Sequence, residues 1–253
     1  MKAHFMHNDR PVWRHEYKYR ISRMTAEALS KIFLGLGLVR DPHADAKSGE
    51  YYVSSIYFDT PHLGDYYDKA GGFSFRKKIR GRIYSPWQNE ISKEVKLEIK
   101  WRREQHISKD VVLLSHREWD MLVAGRYSEL MSLSLHKNDA VNLKKSLWYL
   151  IRDSMHPVVF VRYLRRPFIL HGDRILRVTL DHTITACETH NFWYTPFVTN
   201  VLPENEVVLE MKFSDVLPRW FRDIIYSFNL TRTSYSKYTA SIDAVRLGRP
   251  LPR

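Results

Sequence analysis

The sequence predicts an α+β protein: an antiparallel eight-stranded β-barrel forming a tunnel with a charged lumen, and helices packed outside. Two observations carry that expectation. Segments with a two-residue period recur along the chain, each with Arg, Lys and Glu on one face and aliphatic or aromatic residues on the other. Between them lie segments with apolar residues at helical spacing, whose stripes need a surface to cover.

The first charged strand runs from Arg14 to Ile21, with Glu16, Lys18 and Arg20 on one face and Tyr17, Tyr19 and Ile21 on the other. Thr25 reads as the N-cap of a short helix carrying Leu29, Ile32, Phe33 and Leu36, which ends near Gly35 or Gly37. Residues 41–50 are polar and read as a loop, and Tyr52 to Asp59 as a strand closed by Thr60-Pro61. Asp65 to Gly72 carries turn residues. Phe75 to Tyr84 then places Arg76, Lys78, Arg80 and Arg82 on one face and Phe75, Ile79 and Ile83 on the other. Four cations spaced by about 7 Å repel one another unless anions or carboxylates face them.

A turn at Ser85-Pro86 leads to the clearest alternation, Glu94, Lys96, Glu98, Lys100 and Arg102 against Val95, Leu97, Ile99 and Trp101. Ser115-His116-Arg117-Glu118 is a capping-box pattern opening a helix, and a second helix is expected from about Ala140 to Met155. Val158 to Arg165 and Ile175 to Asp181 read as strands, the second with Arg177, Thr179 and Asp181 on one face. Val207 to Phe213 is the last strand, with Glu206, Glu210 and Lys212 together. A helix with Pro218 in its first turn follows, and a final one begins near Tyr235 to Tyr238.

Which face points inward follows from the helices. With the apolar face inside, they would meet only a charged wall; with the charged face inside, they pack on an apolar one. A lumen of like charges is costly when empty, and a polyanion removes that cost. The interspersed Glu residues oppose an anion unless a divalent cation bridges carboxylate and phosphate oxygens.

At 253 residues, with no repeat, linker or low-complexity tract, residues 1–253 are expected to form a single domain. Forty Lys and Arg against 28 Asp and Glu give a net charge of +12, which implies an anionic partner. The single cysteine, Cys187, excludes an internal disulfide and C-x-x-C metal sites and fits a cytoplasmic protein. No apolar run is long enough to span a bilayer, so a soluble protein is expected. The twelve histidines form no His-x-His or His-x-x-x-His ligand pair, and no Gly-x-x-x-x-Gly-Lys loop occurs.

The motifs together resemble the VTC domain, the polyphosphate polymerase branch of the triphosphate tunnel metalloenzymes, to which CYTH-type triphosphatases also belong. The resemblance runs from about Trp13 to Ala240. It rests on Arg14 to Tyr19, Ser55 to Thr60, Lys78 to Tyr84, Leu97 to Lys100, Lys109, Tyr163 to Phe168, Arg177 to Asp181, Leu209 to Phe213 and Ser236 to Tyr238. It implies that Lys18, Arg80, Arg82, Lys100, Arg165 and Arg177 hold the reacting triphosphate, with Lys78, Lys109, Lys212, Ser236 and Lys237 as further phosphate contacts. It gives Glu210 the role of binding Mn²⁺ or Mg²⁺, with Glu98 and Glu16 as alternatives. Arg162 and Arg166 compete with Arg165, which the Tyr-x-Arg-x-x-Phe match favours. Arg14 stands where CYTH triphosphatases carry the first Glu of Glu-x-Glu-x-Lys, which favours the polymerase branch.

The expected function is transfer of the ATP γ-phosphoryl group to a growing polyphosphate chain, with triphosphate hydrolysis in the same tunnel as the alternative. The rival from another class is a non-catalytic binder of polyphosphate or single-stranded nucleic acid. Against nucleic acid, Tyr17, Tyr19, Phe75 and Trp101 fall opposite the cations and read as outer packing.

Overall fold

The computed structural model describes residues 15–85, 94–104, 106–133, 137–173, 176–193, 198–214 and 216–246. Arg14, Pro86 and Ile175, which the sequence reading invoked, lie outside them. In order come β1 (His15–Ser22), α1 (Arg23–Gly35), β2 (Leu38–Arg40), β3 (Tyr51–Asp59), α2 (Gly64–Ala70), β4 (Phe75–Ser85), β5 (Glu94–Arg103) and β6 (His106–Ser115). Then follow α3 (His116–Val123), α4 (Tyr127–Ser132), α5 (Lys137–Arg152), β7 (His156–Leu170), β8 (Arg177–Cys187), β9 (Thr199–Asn200), β10 (Glu206–Phe213), α6 (Arg219–Ser227) and α7 (Lys237–Val245).

The expected eight-stranded antiparallel path is present, in the order β1-β10-β8-β7-β3-β4-β5-β6, with β2 added beside β7 and β9 beside β8. It departs from a closed barrel at one seam: among the described residues β6 and β1 are not joined by a backbone ladder. The connector before α7 lies along the free edge of β1 instead. Thr233 N–H donates to the Lys18 carbonyl at 2.8 Å, and Arg232 bridges Tyr19. A covered edge has fewer unpaired backbone groups to offer another chain. Side chains also cross toward β5, where Lys100 reaches Glu16 of β1 at 2.9 Å.

Apolar faces point outward, as expected, and are buried under helices. Ile79, Ile83, Val95, Leu97 and Ile99 form one core with Trp119 and Leu122 of α3 and Leu143 and Leu147 of α5. Gly81 lies between Ile79 and Ile83 on that wall, and a Cβ there would stand 2.2 Å from the Trp119 ring. The missing side chain lets α3 press against β4. Tyr19, Leu209, Met211, Val178 and Leu180 form a second core with Leu29 and Phe33 of α1 and Phe221 of α6.

One helix departs from the expected arrangement. Val159 and Val161 share the face of Tyr163 and Arg165, so they lie inside the curl, and they cluster with Tyr238 and Ile242 of α7. The register between β7 and β8 slips between Arg162 and Leu164, whose partners are Thr185 and His182. The extra residue on β8 turns Ile184 and Ala186 toward α7, while Thr179 and Asp181 keep the other parity. The concave face is therefore part charged tunnel, part apolar seat for α7.

Smaller departures have local causes. Residues 64–70 form α2 rather than a turn, because Asp59, at the end of the preceding strand β3, accepts from the Asp65 and Tyr66 amides at 2.9 and 3.0 Å and so caps it. The N-cap of α1 is Ser22, three residues before the expected Thr25, whose amide it accepts at 3.0 Å. The capping box at Ser115 and Glu118 forms as expected. β6 carries no alternation marked enough to be read in the sequence and is set by its ladder with β5. Among the described residues, no helix is long and apolar enough to cross a membrane.

Candidate active site

The inner faces of β1, β3, β4, β5, β6, β7, β8 and β10 enclose a cavity of about 1030 Å³. Among the described residues its wall carries eight lysines and seven arginines against three carboxylates, Glu16, Asp173 and Glu210. Lys18, Lys78, Arg80, Arg82, Lys100, Lys109, Arg165, Arg177, Lys212, Ser236 and Lys237, all predicted from sequence, line it together with Glu16 and Glu210. Glu98 does not: it is 2% exposed beneath the wall.

Strand register explains how residues far apart in sequence meet. Lys18 faces Glu210 across the β1–β10 ladder, and Glu16 faces Lys212. On the other side Arg80 stands opposite Glu98 and Lys78 opposite Lys100, with Lys100 opposite Lys109 on β6. Alternation keeps all of these on one face.

Buried carboxylates hold the deep cations in place. Glu98 accepts from Arg80 Nε at 2.7 Å and from Lys109 Nζ at 3.0 Å. Asp181 accepts a fork from Arg165 at 2.7 and 2.8 Å and a third bond from Lys237 at 2.6 Å. Glu16 pairs with Lys18 at 3.0 Å and Lys100 at 2.9 Å, and Glu210 pairs with Lys212 at 2.6 Å. Arg177 pairs with Asp41 in the loop after β2. Arg82 has no carboxylate among these: its Nε donates to Ser55 at 3.0 Å and its guanidinium lies over the Tyr84 ring. Fixed side chains point their remaining donors into the cavity without needing to reorganise.

The charges feel both burial and one another. Burial works against ionisation of Glu98, yet Arg80, Arg82 and Lys109 outweigh it and hold the carboxyl well below its usual range. Asp181 is likewise opposed by burial, but Arg165 and Lys237 bring it down to about 2. Burial drives Lys100 down to about 7, with Glu16 opposing and Lys18 adding to the fall. Tyr84, which burial alone would raise, is drawn down to about 7 by Arg82. Burial and the neighbouring Lys18 and Lys100 push Lys78 well below the usual amine range.

The family model for the VTC domain matches residues 13–246, nearly the whole of this tunnel-forming chain. The chain belongs to the VTC-domain family. Solved structures extend the likeness at the level of fold. A candidate adenylyl cyclase from Hippeastrum, reported to have a dominant triphosphatase activity, superposes with TM-score 0.52 at 14% identity, over 95% of this chain and 97% of the other. A candidate adenylate cyclase from Bacillus halodurans gives TM-score 0.50 at 12% identity, over 88% and 95%. No curated protein sequence matches the chain.

Of the three arginines competing in the Tyr-x-Arg-x-x-Phe segment of this VTC domain, Arg165 lines the tunnel. Arg162 donates to Ser54 at 3.0 Å and Arg166 to Glu27 and Glu50, both away from the cavity. Arg20, expected on the charged face, pairs with Glu206 at 2.7 Å and is not part of the cavity wall. Tyr17 and Tyr19 pack outward against Phe213 and Phe221, as the reading of the aromatics expected.

The two cavity carboxylates that converge are Glu16 and Glu210, which both meet the Lys18 ammonium, at 3.0 and 3.6 Å. Two carboxylates with the remaining positions left to phosphate oxygens and water is the usual manner of holding Mg²⁺. Among the described residues no cluster of three or more His, Cys, Asp or Glu could hold a metal by itself. Glu98, whose oxygens are taken by Arg80 and Lys109, lies apart from that pair.

Sequence reasoning passed over the tyrosines of the site. Tyr57, Tyr84, Tyr163, Tyr235 and Tyr238 all line the cavity, and Arg80 and Lys237 lie over the Tyr57 and Tyr163 rings at 5.8 and 4.6 Å. The parity of Tyr84 with Arg80 and Arg82 was the available signal. Lys69, on the unexpected α2, had none.

Proposed function

We propose that this VTC domain is a metal-dependent polyphosphate polymerase that transfers the γ-phosphoryl group of ATP to the end of a growing polyphosphate chain. The observation that carries the reading is the cationic cavity itself, in which Glu16 and Glu210 are paired with lysines and most of the cations are left to an anion. The attacking oxygen of a phosphate chain is already anionic, so the reaction needs positioning and charge stabilisation rather than a general base. Arg80, Arg82 and Arg165 grip phosphate oxygens as forks, and Lys18, Lys100, Lys109 and Lys237 add point charges as negative charge spreads over the transferred group. Lys78 and Ser236, joined at 2.8 Å, position the same anion near the N-terminus of α7. Mn²⁺ or Mg²⁺ held by Glu210 and Glu16 would neutralise charge on the phosphates during transfer.

Hydrolysis of a triphosphate is the second reading, favoured by the triphosphatase activity reported for the Hippeastrum neighbour. A carboxylate held well below its usual range is a weak base for activating water, and burial of Glu210 is outweighed in that direction by Lys212 and Lys18. Incubation with ATP and Mn²⁺ separates the two: long chains on a gel support the polymerase, and free phosphate without chains supports the hydrolase. Glu210→Gln should reduce the metal-dependent rate by orders of magnitude while binding of an ATP analogue without metal is retained or tightened. Wild-type turnover with unchanged metal dependence would remove Glu210 from the metal role.

A further inference from the structure

Arg76 and Arg102 stand directly opposite each other on β4 and β5, half-buried and facing the tunnel. Like charges so placed destabilise a ladder unless something else compensates them. Lys69 of α2 joins them: burial and then the fields of Arg76 and Arg102 lower its tendency to hold a proton. Among the described residues none of the three has a carboxylate within ion-pairing distance, in contrast to Arg80, Arg165 and Lys237, and the field of Asp68 only partly offsets burial and Arg102 at Arg76. Arg102 donates to the Glu104 carbonyl at 2.8 Å and Lys69 to Ser234 at 3.5 Å, which leaves most of their donors unused. Lys78, the next inward-facing residue on β4, also lacks a carboxylate and so continues the uncompensated track toward Arg80.

On β4, Arg76 precedes Arg80 by four residues, about 13 Å of strand. A tripolyphosphate gripped by Arg80 and Arg82 falls short of it. A longer phosphate chain lying along the tunnel does not. Phe75 and Trp101, which alternate with these cations, stack on each other on the outer wall and so are not a platform for the bases of single-stranded nucleic acid.

We propose that Lys69, Arg76 and Arg102 form a second anion subsite, at the end of the tunnel where β4 begins, which holds the distal phosphates of a linear polyphosphate whose terminal phosphates occupy the Arg80–Arg82 site. The proposal rests on the polyphosphate reading of the tunnel and adds a preference for chain length to it. Titration calorimetry tests it, with wild type and the double variant Arg76→Gln/Arg102→Gln each titrated with tripolyphosphate and with long-chain polyphosphate. The double variant should bind tripolyphosphate within about twofold of wild type and long-chain polyphosphate at least about tenfold more weakly, the loss expected for hydrogen bonds to charged groups. Its melting temperature without ligand should not fall, because two opposed cations have gone, and Lys69→Gln on α2 should give a smaller loss in the same direction. Unchanged affinity for the long chain overturns the subsite. Equal weakening of both ligands also overturns it, by placing these residues in the triphosphate site. Displacement of the long chain by an equal concentration of oligodeoxythymidine would assign the track to nucleic acid instead. Wild type that binds neither phosphate ligand would overturn the polyphosphate reading itself.

Discussion

Arg80 and Arg82, two residues apart on one face, differ in what stands behind them, and that difference decides how each responds to substitution. Arg82→Ala should weaken tripolyphosphate binding by about 1.5–3 kcal/mol at a smaller cost in melting temperature than Arg80→Ala, since Arg82 acts on Glu98 only through its field and has no carboxylate within ion-pairing distance. Arg80→Ala should weaken binding and also cost about 3 kcal/mol of stability, because buried Glu98 then keeps only Lys109. Calorimetry for binding and thermal melts for stability separate the two, and equal loss of stability in both variants would refute the difference. Lys100, brought down to about 7 by burial, is largely neutral at pH 8 in the free protein and should be protonated when a polyanion arrives. Tripolyphosphate binding at pH 8 should therefore take up protons, measured from its heat in buffers of different ionisation enthalpy. Lys100→Arg should reduce that uptake; an unchanged uptake would mean that other groups, such as Tyr84, supply all of it.

At the scale of elements, α7 is the part whose placement matters most, because it closes the apolar portion of the concave face and sends Lys237 into the charged portion. Asp181 joins it to β7 by accepting from both Lys237 and Arg165. Asp181→Asn leaves two buried cations without their anion and should destabilise by roughly 3–5 kcal/mol at neutral pH. Burial opposes the ionised form, but Arg165 and Lys237 hold the Asp181 carboxyl near 2 against an ordinary value of 3.8. Its contribution is therefore present above about pH 4 and is lost as pH falls through 2. Denaturant melts from pH 5 to pH 2 should show a smaller acid-induced loss in Asp181→Asn than in wild type. An identical pH profile would indicate that the pair contributes nothing. Burial of Ile79 and packing of Trp119 over Gly81 act on the opposite face, where α3 packs on the apolar wall.

The whole molecule carries more positive charge than its own carboxylates balance, and the excess is concentrated on one concave surface. An anion that binds only the folded state stabilises it by about 2.7 kcal/mol at a hundred times its dissociation constant, and here it also relieves repulsion in the wall. Tripolyphosphate or a nonhydrolysable ATP analogue should therefore raise the melting temperature by several degrees, more at low salt than at high salt. No shift with either ligand in well-folded protein would contradict the tunnel as an anion site. The open seam between β1 and β6 belongs to this scale too: the connector 232–236 covers the edge of β1 and adds Arg232, Ser234 and Ser236 to the cavity wall.

The sequence by itself determined which side of β1, β4 and β5 faces the tunnel, because a two-residue period commits Arg76 to Arg82, Glu98 to Arg102 and Lys18 to their faces wherever the strands end up. It also determined the helices with local signals, such as the Ser115–Glu118 capping box, since those bonds span only three residues. Only the tertiary structure decided which cations are held by carboxylates, because Arg80–Glu98, Lys18–Glu210 and Arg165–Asp181 depend on strand register, and a ladder can slip without changing the local pattern. It likewise decided that α7 sits inside the curl. A single extra residue on β8 reverses facing parity there, and nothing in the alternation of the sequence announces it.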